Sequence, residues 1–204
     1  MRQHKSFWDK NARIYNLFMH KDSDAYEKMY ELIRQVVKGK RVLELATGTG
    51  LIAKHIADDA DYVEATDSSL QMIKIANEGN NSPKLHFSVQ DMFALEYANE
   101  TFDVVIVANA FHVVPEPERA LEEAKRVLKE NGILIAPTFT HKSNSAKGNI
   151  KLFFMKLAGF PLICKWSSEE YLGFLDKNGF KVEKSKVLDA SFPLTYAECI
   201  KSEV

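Results

Sequence analysis

The sequence predicts an α/β fold in which a mostly parallel, doubly wound sheet is covered by helices on both faces. Across residues 39–140, short apolar segments typical of buried strands alternate with amphipathic helical segments. The length of 204 residues, with 46% hydrophobic and 27% charged residues, suits one globular domain. Ligands of such sheets bind beyond the carboxyl ends of the strands, so those ends are the first places to look for a site.

Composition excludes several classes of protein. The chain has 27 Lys and Arg against 28 Asp and Glu, and a net charge of −1 argues against sequence-blind nucleic-acid binding. Cys164 and Cys199 are too few and too isolated for a disulfide framework or a cysteine zinc site, and no His, Asp and Glu spacing resembles a metal site. We find no apolar segment long enough for a transmembrane helix and no signal-peptide core, so a reduced, cytoplasmic protein is expected.

The elements follow in order along the chain. The first 38 residues read as helical, with two apolar stripes at helical spacing: Phe7, Trp8, Ala12, Tyr15 and Phe18, then Tyr26, Tyr30, Ile33 and Val37. Five core strands are predicted at residues 41–46, 62–66, 85–89, 102–108 and 133–136, and two final strands at residues 180–188 and 196–201.

Helix boundaries carry their own signals. Ser68, with Gln71 three residues later, forms a capping box that predicts the start of a helix. Pro117 suits the start of the helix before the fifth strand, and Asn131-Gly132 predicts its end. The segment Ser167-Ser168-Glu169-Glu170 is a second capping box, before a helix that is expected to stop at Gly179.

A glycine turn follows the first strand. Gly48-Thr49-Gly50-Leu51-Ile52-Ala53 matches the G-x-G-x-x-G/A pattern, and Asp67 lies 17 residues after Gly50, near the spacing of an acid that binds ribose hydroxyls. Glycine permits close approach of a ligand to the backbone. The alternative is a tight turn with a solvent-exposed Asp. The ordered strand, turn, helix and acid favour an adenosine-like ligand.

The charge of the turn favours one such ligand. Glu44 would repel a pyrophosphate, and the chain after Asp67 has room for only one doubly wound layer, whereas a nicotinamide enzyme usually needs a second half and a substrate domain. S-adenosylmethionine, with its sulfonium and ammonium groups, fits the acidic turn better. A nicotinamide-dependent reductase remains the runner-up, and a non-catalytic S-adenosylmethionine-binding module is a third alternative.

Residues 42–50 resemble the first motif of class I S-adenosylmethionine-dependent methyltransferases, E/D-x-G-x-G-x-G, with Ala46 in place of the first glycine. Further similarities cover residues 67–69, 90–92 and 102–114, and residues 122–132 are similar to the E-x-x-R-V-L-K-P-G-G signature of the type 11 subgroup. That subgroup includes quinone-biosynthesis and phospholipid methyltransferases. The resemblance implies a three-layer αβα, Rossmann-like sandwich with seven strands, the last antiparallel and inserted between the fifth and sixth.

The resemblance also implies which residues bind the cofactor. Asp67 would hold the ribose, Asp91 would accept from the adenine amine, and Tyr15 would cover the cofactor, unless it is simply core of its helix. The full set expected at the cofactor is Tyr15, Glu44, Ala46, Thr47, Gly48, Gly50, Asp67, Ser68, Met72, Gln90, Asp91, Met92 and Asn109.

His112 is the candidate catalytic residue because it follows the fourth strand, where an acceptor would lie. It could remove a proton from a hydroxyl or thiol, or it could be a loop residue with no acid–base task. His141 has a similar but weaker claim. Methyl transfer needs alignment above all, and a base only when the nucleophile is protonated.

The chain divides into an N-terminal helical lid at residues 1–38, a cofactor-binding core at 39–140, an insertion at 141–166 and C-terminal elements at 167–204. The insertion is basic and amphipathic, which fits packing or a dimer contact, a substrate lid, or contact with a membrane surface. The predicted function is methyl transfer from S-adenosylmethionine to a small molecule, with a lipid or quinone precursor left open, by a monomer or homodimer.

Overall fold

The computed structural model describes residues 22–141 and 163–202. In chain order the elements are α1 (Ser23–Val37), β1 (Arg41–Leu45), α2 (Leu51–Ile56), β2 (Tyr62–Asp67), α3 (Leu70–Asn77), β3 (Leu85–Val89), β4 (Phe102–Val107), α4 (Pro117–Val127), β5 (Leu128–Ile135), β6 (Thr138–Phe139), α5 (Ser168–Lys177), β7 (Phe180–Leu188) and β8 (Leu194–Lys201). The strict alternation of strands and helices up to β5 agrees with the predicted α/β class.

One twisted sheet contains all the described strands, in the order β3-β2-β1-β4-β5-β8-β6, with β7 paired to β8. The pairs from β3 through β5 are parallel, whereas β8 is antiparallel to β5 and to β7. The last strand is therefore inserted as predicted. The expected count of seven strands is wrong by one, because two residues after β5 form the short β6 on the same partner strand.

Helices cover both faces of the sheet and create two apolar cores. One core joins β1, β4 and β5 to α4 and α5, and it contains the large buried rings of Phe102, Phe111 and Tyr171. The other core places α1 and α2 against the opposite face. The buried residues of α1 include Tyr26, Tyr30, Ile33 and Val37, so the predicted stripe of this helix is confirmed.

Two helix boundaries differ from the predictions. The N-cap of α3 is Ser69, whose hydroxyl accepts from the backbone N–H of Met72, and not Ser68. Helix α4 ends at Val127, so Gly132 does not end it but lies within β5. A Cβ at Gly132 would meet the Leu128 side chain at 2.6 Å, which explains the glycine by close packing. The capping box of Ser167 and Glu170 is confirmed at the start of α5.

Several predicted features lie outside the described residues. They include the first apolar stripe with Tyr15 and residues 142–162 of the insertion. Within residues 22–141 and 163–202, no helix combines the length and apolarity needed to cross a membrane.

Candidate cofactor and acceptor site

The carboxyl ends of four parallel strands meet at one edge of the sheet. Leu45 of β1 pairs with Thr66 of β2 on one side and with Val107 of β4 on the other, and Asp67 pairs with Val89 of β3. This register brings the glycine turn, Asp67 and the segment after β3 side by side. The residues predicted for one site therefore do share one edge.

The glycine turn depends on left-handed backbone positions. Ala46, Gly48 and Gly50 have φ of 52°, 58° and 77°. Gly50 also has no room for a side chain, because a Cβ there would lie 2.8 Å from the Phe87 ring. Ala46, which replaces a family glycine, thus adopts a conformation that is unfavourable for a residue with a Cβ. The turn keeps its shape despite this substitution.

Asp67 ties the turn to the start of α3. Its Oδ2 accepts from the backbone N–H of Gly48 at 2.9 Å, and its Oδ1 accepts from the N–H of Ser69 at 2.8 Å. An ionised carboxylate has about four acceptor sites, so these bonds are compatible with additional hydroxyl donors. Asp67 therefore organises both backbone segments next to which a ribose would lie.

Glu44 is a buried acid directly beneath the same turn. Only 2% of the residue is exposed, and its Oε2 accepts from the Thr47 hydroxyl at 2.8 Å. The pKa of Glu44 is raised to about 8, chiefly by burial and with a smaller contribution from the charge of Asp67, while hydrogen bonds from the Thr47 hydroxyl and the Ala53 backbone oppose the shift. A cation bound at the turn would favour the ionised form of this carboxyl.

The segment after β3 continues the same edge. The N–H of Gln90 donates to the carbonyl of Asp67 at 3.2 Å. The exposed Asp91 accepts from the N–H of Phe93 at 3.0 Å, which fixes its carboxylate at the start of the loop. Met92 and Met72 are buried, so their side chains support the site from the core side.

Two apolar residues of this edge were missed by the sequence reasoning. Leu70 is 53% exposed and Val89 is 43% exposed, and both flank Asp67: Val89 as its strand partner and Leu70 in the first turn of α3. Val89 could have been identified by asking which residue of the neighbouring strand lies opposite Asp67 in the sheet.

A second group of predicted residues lies after β4 and next to β6. His112 is 5% exposed, and its Nδ1 lies 2.8 Å from the Thr138 hydroxyl. The pKa of His112 is lowered to about 4, chiefly by burial and to a smaller extent by His141. The pKa of His141 is also lowered, chiefly by burial and to a smaller extent by the positive charge of Lys165. The His112 carbonyl accepts from the N–H groups of Ile163 and Cys164, at 2.9 and 3.1 Å.

Asn109, which is also predicted at the cofactor, has both polar atoms of its side-chain amide bonded within the protein. Its Oδ1 accepts from the N–H of Phe139 at 3.2 Å, and its Nδ2 donates to the Tyr26 hydroxyl at 2.8 Å. The predicted set thus separates into a cluster around the glycine turn and a second cluster at the end of β4. Tyr15 lies outside the described residues.

Comparison with known proteins gives the family. Residues 43–136 match the family described as "Methyltransferase domain". Residues 43–136 therefore form a methyltransferase domain of the kind that uses S-adenosylmethionine. This domain includes the glycine turn, Asp67, the loop after β3 and the turn after β4. The family match supports the methyltransferase prediction over the reductase and the non-catalytic alternatives.

Relatives and solved structures resemble the methyltransferase domain to different extents. A demethylmenaquinone methyltransferase of Renibacterium salmoninarum is 38% identical over 105 residues, covering 52% of this chain and 44% of that protein. One from Thermotoga maritima is 33% identical over 138 residues, covering 66% of this chain and 59% of that protein. The chain thus spans about half the length of the curated relatives it matches. The solved DhpI–SAH complex has a TM-score of 0.75 at 22% identity, covering 100% of this chain and 97% of that one, and shows the shared fold.

Proposed function

We propose that this methyltransferase domain transfers the methyl group of S-adenosylmethionine to a small aromatic acceptor of the quinol class. The observation that carries the proposal is the coupling of Asp67 to the Gly48 N–H in a turn that also contains the buried Glu44. The names of the demethylmenaquinone methyltransferases above support the choice of acceptor. A lipid acceptor is the alternative.

The described residues fit this cofactor in shape and charge. The left-handed glycines keep side chains away from the space above the turn. Asp67 would accept from the ribose hydroxyls, and the exposed Leu70 and Val89 would contact the adenine faces. Asp91 would accept from the adenine amine. The remaining predicted contacts, Ala46, Thr47, Gly48, Gly50, Ser68 and Gln90, lie along the same edge.

The acidic pair would favour a cationic cofactor. Glu44 lies close enough to Asp67 for their charges to interact, and their repulsion contributes to the raised pKa of Glu44. A sulfonium or ammonium group near the turn would relieve this repulsion, whereas a pyrophosphate would increase it. This charge preference separates the proposed cofactor from a dinucleotide.

S-adenosylmethionine supplies an activated methyl group, so the protein chiefly has to align it with the acceptor. His112 is neutral near pH 7 because of its low pKa, and it is then a weak proton acceptor. We therefore assign His112 a hydrogen-bonding role together with Thr138 and not that of a strong general base. A phenolic hydroxyl has a pKa of about 10, so a quinol is protonated near pH 7 and must release a proton to water or to a side chain during methyl transfer.

The test incubates the purified protein with methyl-labelled S-adenosylmethionine and three acceptors: a reduced short-chain demethylmenaquinone, a long-chain alcohol and a small primary amine. We expect label in the quinol product, identified by mass spectrometry. Label only in the alcohol would replace the acceptor class with a lipid. Binding of S-adenosylhomocysteine without any labelled product would favour a non-catalytic module, and stabilisation by NADH alone would favour the reductase.

A further inference from the structure

The turn after β4 is attached to the first helix as well as to the sheet. Asn109 has a left-handed backbone, with φ of 52°, and its N–H donates to the Pro137 carbonyl at 2.8 Å. Its side chain then bridges the Phe139 N–H of β6 and the Tyr26 hydroxyl of α1. Tyr26 lies 83 residues earlier in the chain. One amide therefore joins three separate elements at the acceptor edge.

The chemistry of these partners determines the orientation of the Asn109 amide. The Phe139 N–H can only donate, so Asn109 must present its carbonyl oxygen there. Its NH₂ group then needs an acceptor, and the Tyr26 hydroxyl provides one at 2.8 Å. Without that hydroxyl, a half-buried amide would lose a partner and would be free to rotate.

Tyr26 is itself held firmly. The residue is 5% exposed, and its ring packs edge-on to Tyr30, with centroids 5.9 Å apart, and at a tilt to Phe139, with centroids 6.5 Å apart. The same turn is joined to β6 a second time by the contact between His112 and Thr138. The hydroxyl of Tyr26 therefore links a rigid helix to the backbone that precedes His112.

We propose that Tyr26 is a positioning residue for methyl transfer, which acts through Asn109 to fix the turn at residues 109–112 beside the acceptor. This proposal rests on the proposed function. In-line displacement is more sensitive to alignment than to binding. Loss of the hydroxyl should therefore lower kcat while it leaves cofactor affinity nearly unchanged.

The first test compares Tyr26→Phe with Tyr30→Phe, using labelled S-adenosylmethionine and reduced short-chain demethylmenaquinone. Both variants keep a buried ring on α1, but the Tyr30 ring stacks on His55 of α2, with centroids 4.0 Å apart. We expect Tyr26→Phe to lower kcat about 10-fold, with KM and the Kd of S-adenosylhomocysteine within about twofold. Tyr30→Phe should keep kcat within about twofold of the wild type. Equal losses of kcat in both variants would overturn the proposal.

The second test asks whether Tyr26 acts through Asn109. Asn109→Gly keeps a residue that readily adopts the left-handed conformation but removes the bridging amide. If Tyr26 acts through this amide, Tyr26→Phe should have no further effect on kcat in the Asn109→Gly background. Losses that multiply in the double variant would overturn the proposal.

Amide hydrogen exchange gives a readout that needs no acceptor. With S-adenosylhomocysteine bound, Tyr26→Phe should increase the exchange rate of the Phe139 N–H about 10-fold. The exchange rate of the Gly48 N–H, which donates to Asp67, should not change. If the wild type methylates no quinol, the proposed acceptor is wrong. The exchange rate of the Phe139 N–H then tests by itself whether Tyr26 holds the Asn109 amide. Unchanged exchange at Phe139, or faster exchange with unchanged kcat, would overturn the positioning role.

Discussion

The cofactor side and the acceptor side of this edge are built in different ways. Around the glycine turn, backbone conformation and the acidic side chains of Glu44 and Asp67 define the site. The bond from the Gly48 N–H to Asp67 joins the ends of β1 and β2, consecutive strands of the sheet. At the end of β4, neutral side chains bridge elements that are far apart in sequence, as in the bond between Asn109 and Tyr26. The glycine turn suits a cofactor whose structure is the same in every reaction. The side chains at the end of β4 can change with the acceptor while the fold stays the same.

Gly50 offers the strongest test of the cofactor side. Gly50→Ala would force a Cβ into a left-handed residue and to within 2.8 Å of the Phe87 ring. We expect a loss of about 2–5 kcal/mol in the free energy of unfolding, from backbone strain and overpacking together. Urea denaturation followed by circular dichroism measures this loss, and calorimetry should detect no cofactor binding.

Gly79→Ala is the matched control for Gly50→Ala. Gly79 also has a left-handed backbone, with φ of 70°, but a Cβ there would have no neighbour within 4 Å. The substitution should cost only about 1–2 kcal/mol and leave S-adenosylhomocysteine affinity unchanged. If both variants lost the same stability, the contact with Phe87 would not explain Gly50.

The contrast between the two sides also explains what could be predicted from the sequence. The glycine turn, Asp67 and the strand pattern are encoded by residues that are near one another in the chain or follow the periodicity of buried strands. The parallel core sheet follows from the alternation of strands and helices, whereas the inserted antiparallel β8 follows from the family resemblance. The sequence does not indicate Val89, because its place beside Asp67 depends on the register between β2 and β3. It does not indicate Leu70, because the exposure of this residue depends on how α3 packs.

The acceptor side could not be deduced in the same way. Asn109 was expected at the cofactor because it ends a strand, but its amide is held by Tyr26 and Phe139, a contact that only tertiary packing creates. His112 was chosen as a base by position, whereas its burial, which lowers the pKa, depends on the surrounding elements. The short β6 similarly forms because β8 passes alongside residues that follow β5.

The pH dependence of stability tests the burial of Glu44. The unfolded carboxyl has a pKa near 4.5, and the folded one a pKa of about 8. Between these values the unfolded chain releases a proton that the folded protein keeps, so stability should fall as pH rises and level off above pH 8. We expect this group to contribute a decline of about 5 kcal/mol, because each pKa unit between the two states corresponds to about 1.4 kcal/mol. Urea denaturation without cofactor measures this decline.

Glu44→Gln keeps the shape of the side chain but cannot ionise. Its stability should lack the decline that Glu44 causes, and the difference between the variant and wild-type curves isolates this one group. Cofactor affinity adds a second comparison, because cationic S-adenosylmethionine should bind more tightly as pH rises toward 8 in the wild type only. Parallel stability curves for the two proteins would contradict the assignment of a buried, protonated Glu44.

Asp67→Ala tests whether the carboxylate contributes to binding as well as to the turn. We expect S-adenosylhomocysteine affinity to weaken by roughly 1–3 kcal/mol, the scale for losing a charged hydrogen-bond acceptor. Asp61→Ala is the matched control, because Asp61 is also an exposed acid but lies at the other end of β2, and this variant should keep wild-type affinity. Calorimetric affinity equal to that of the wild type would count against the ribose assignment of Asp67.

Ala46→Gly is expected to have the smallest effect of these substitutions, and it tests the backbone conformation of the glycine turn directly. The Ala46 φ of 52° favours glycine, but its methyl group packs against the core on the side of α4 and α5. Relief of backbone strain should outweigh the lost packing and the added chain entropy, so Ala46→Gly is expected to stabilise the protein by up to about 1 kcal/mol. The measurement is the urea midpoint, with S-adenosylhomocysteine affinity unchanged or slightly improved. A clear loss of stability would mean that the Ala46 methyl group matters more to this turn than its backbone conformation does.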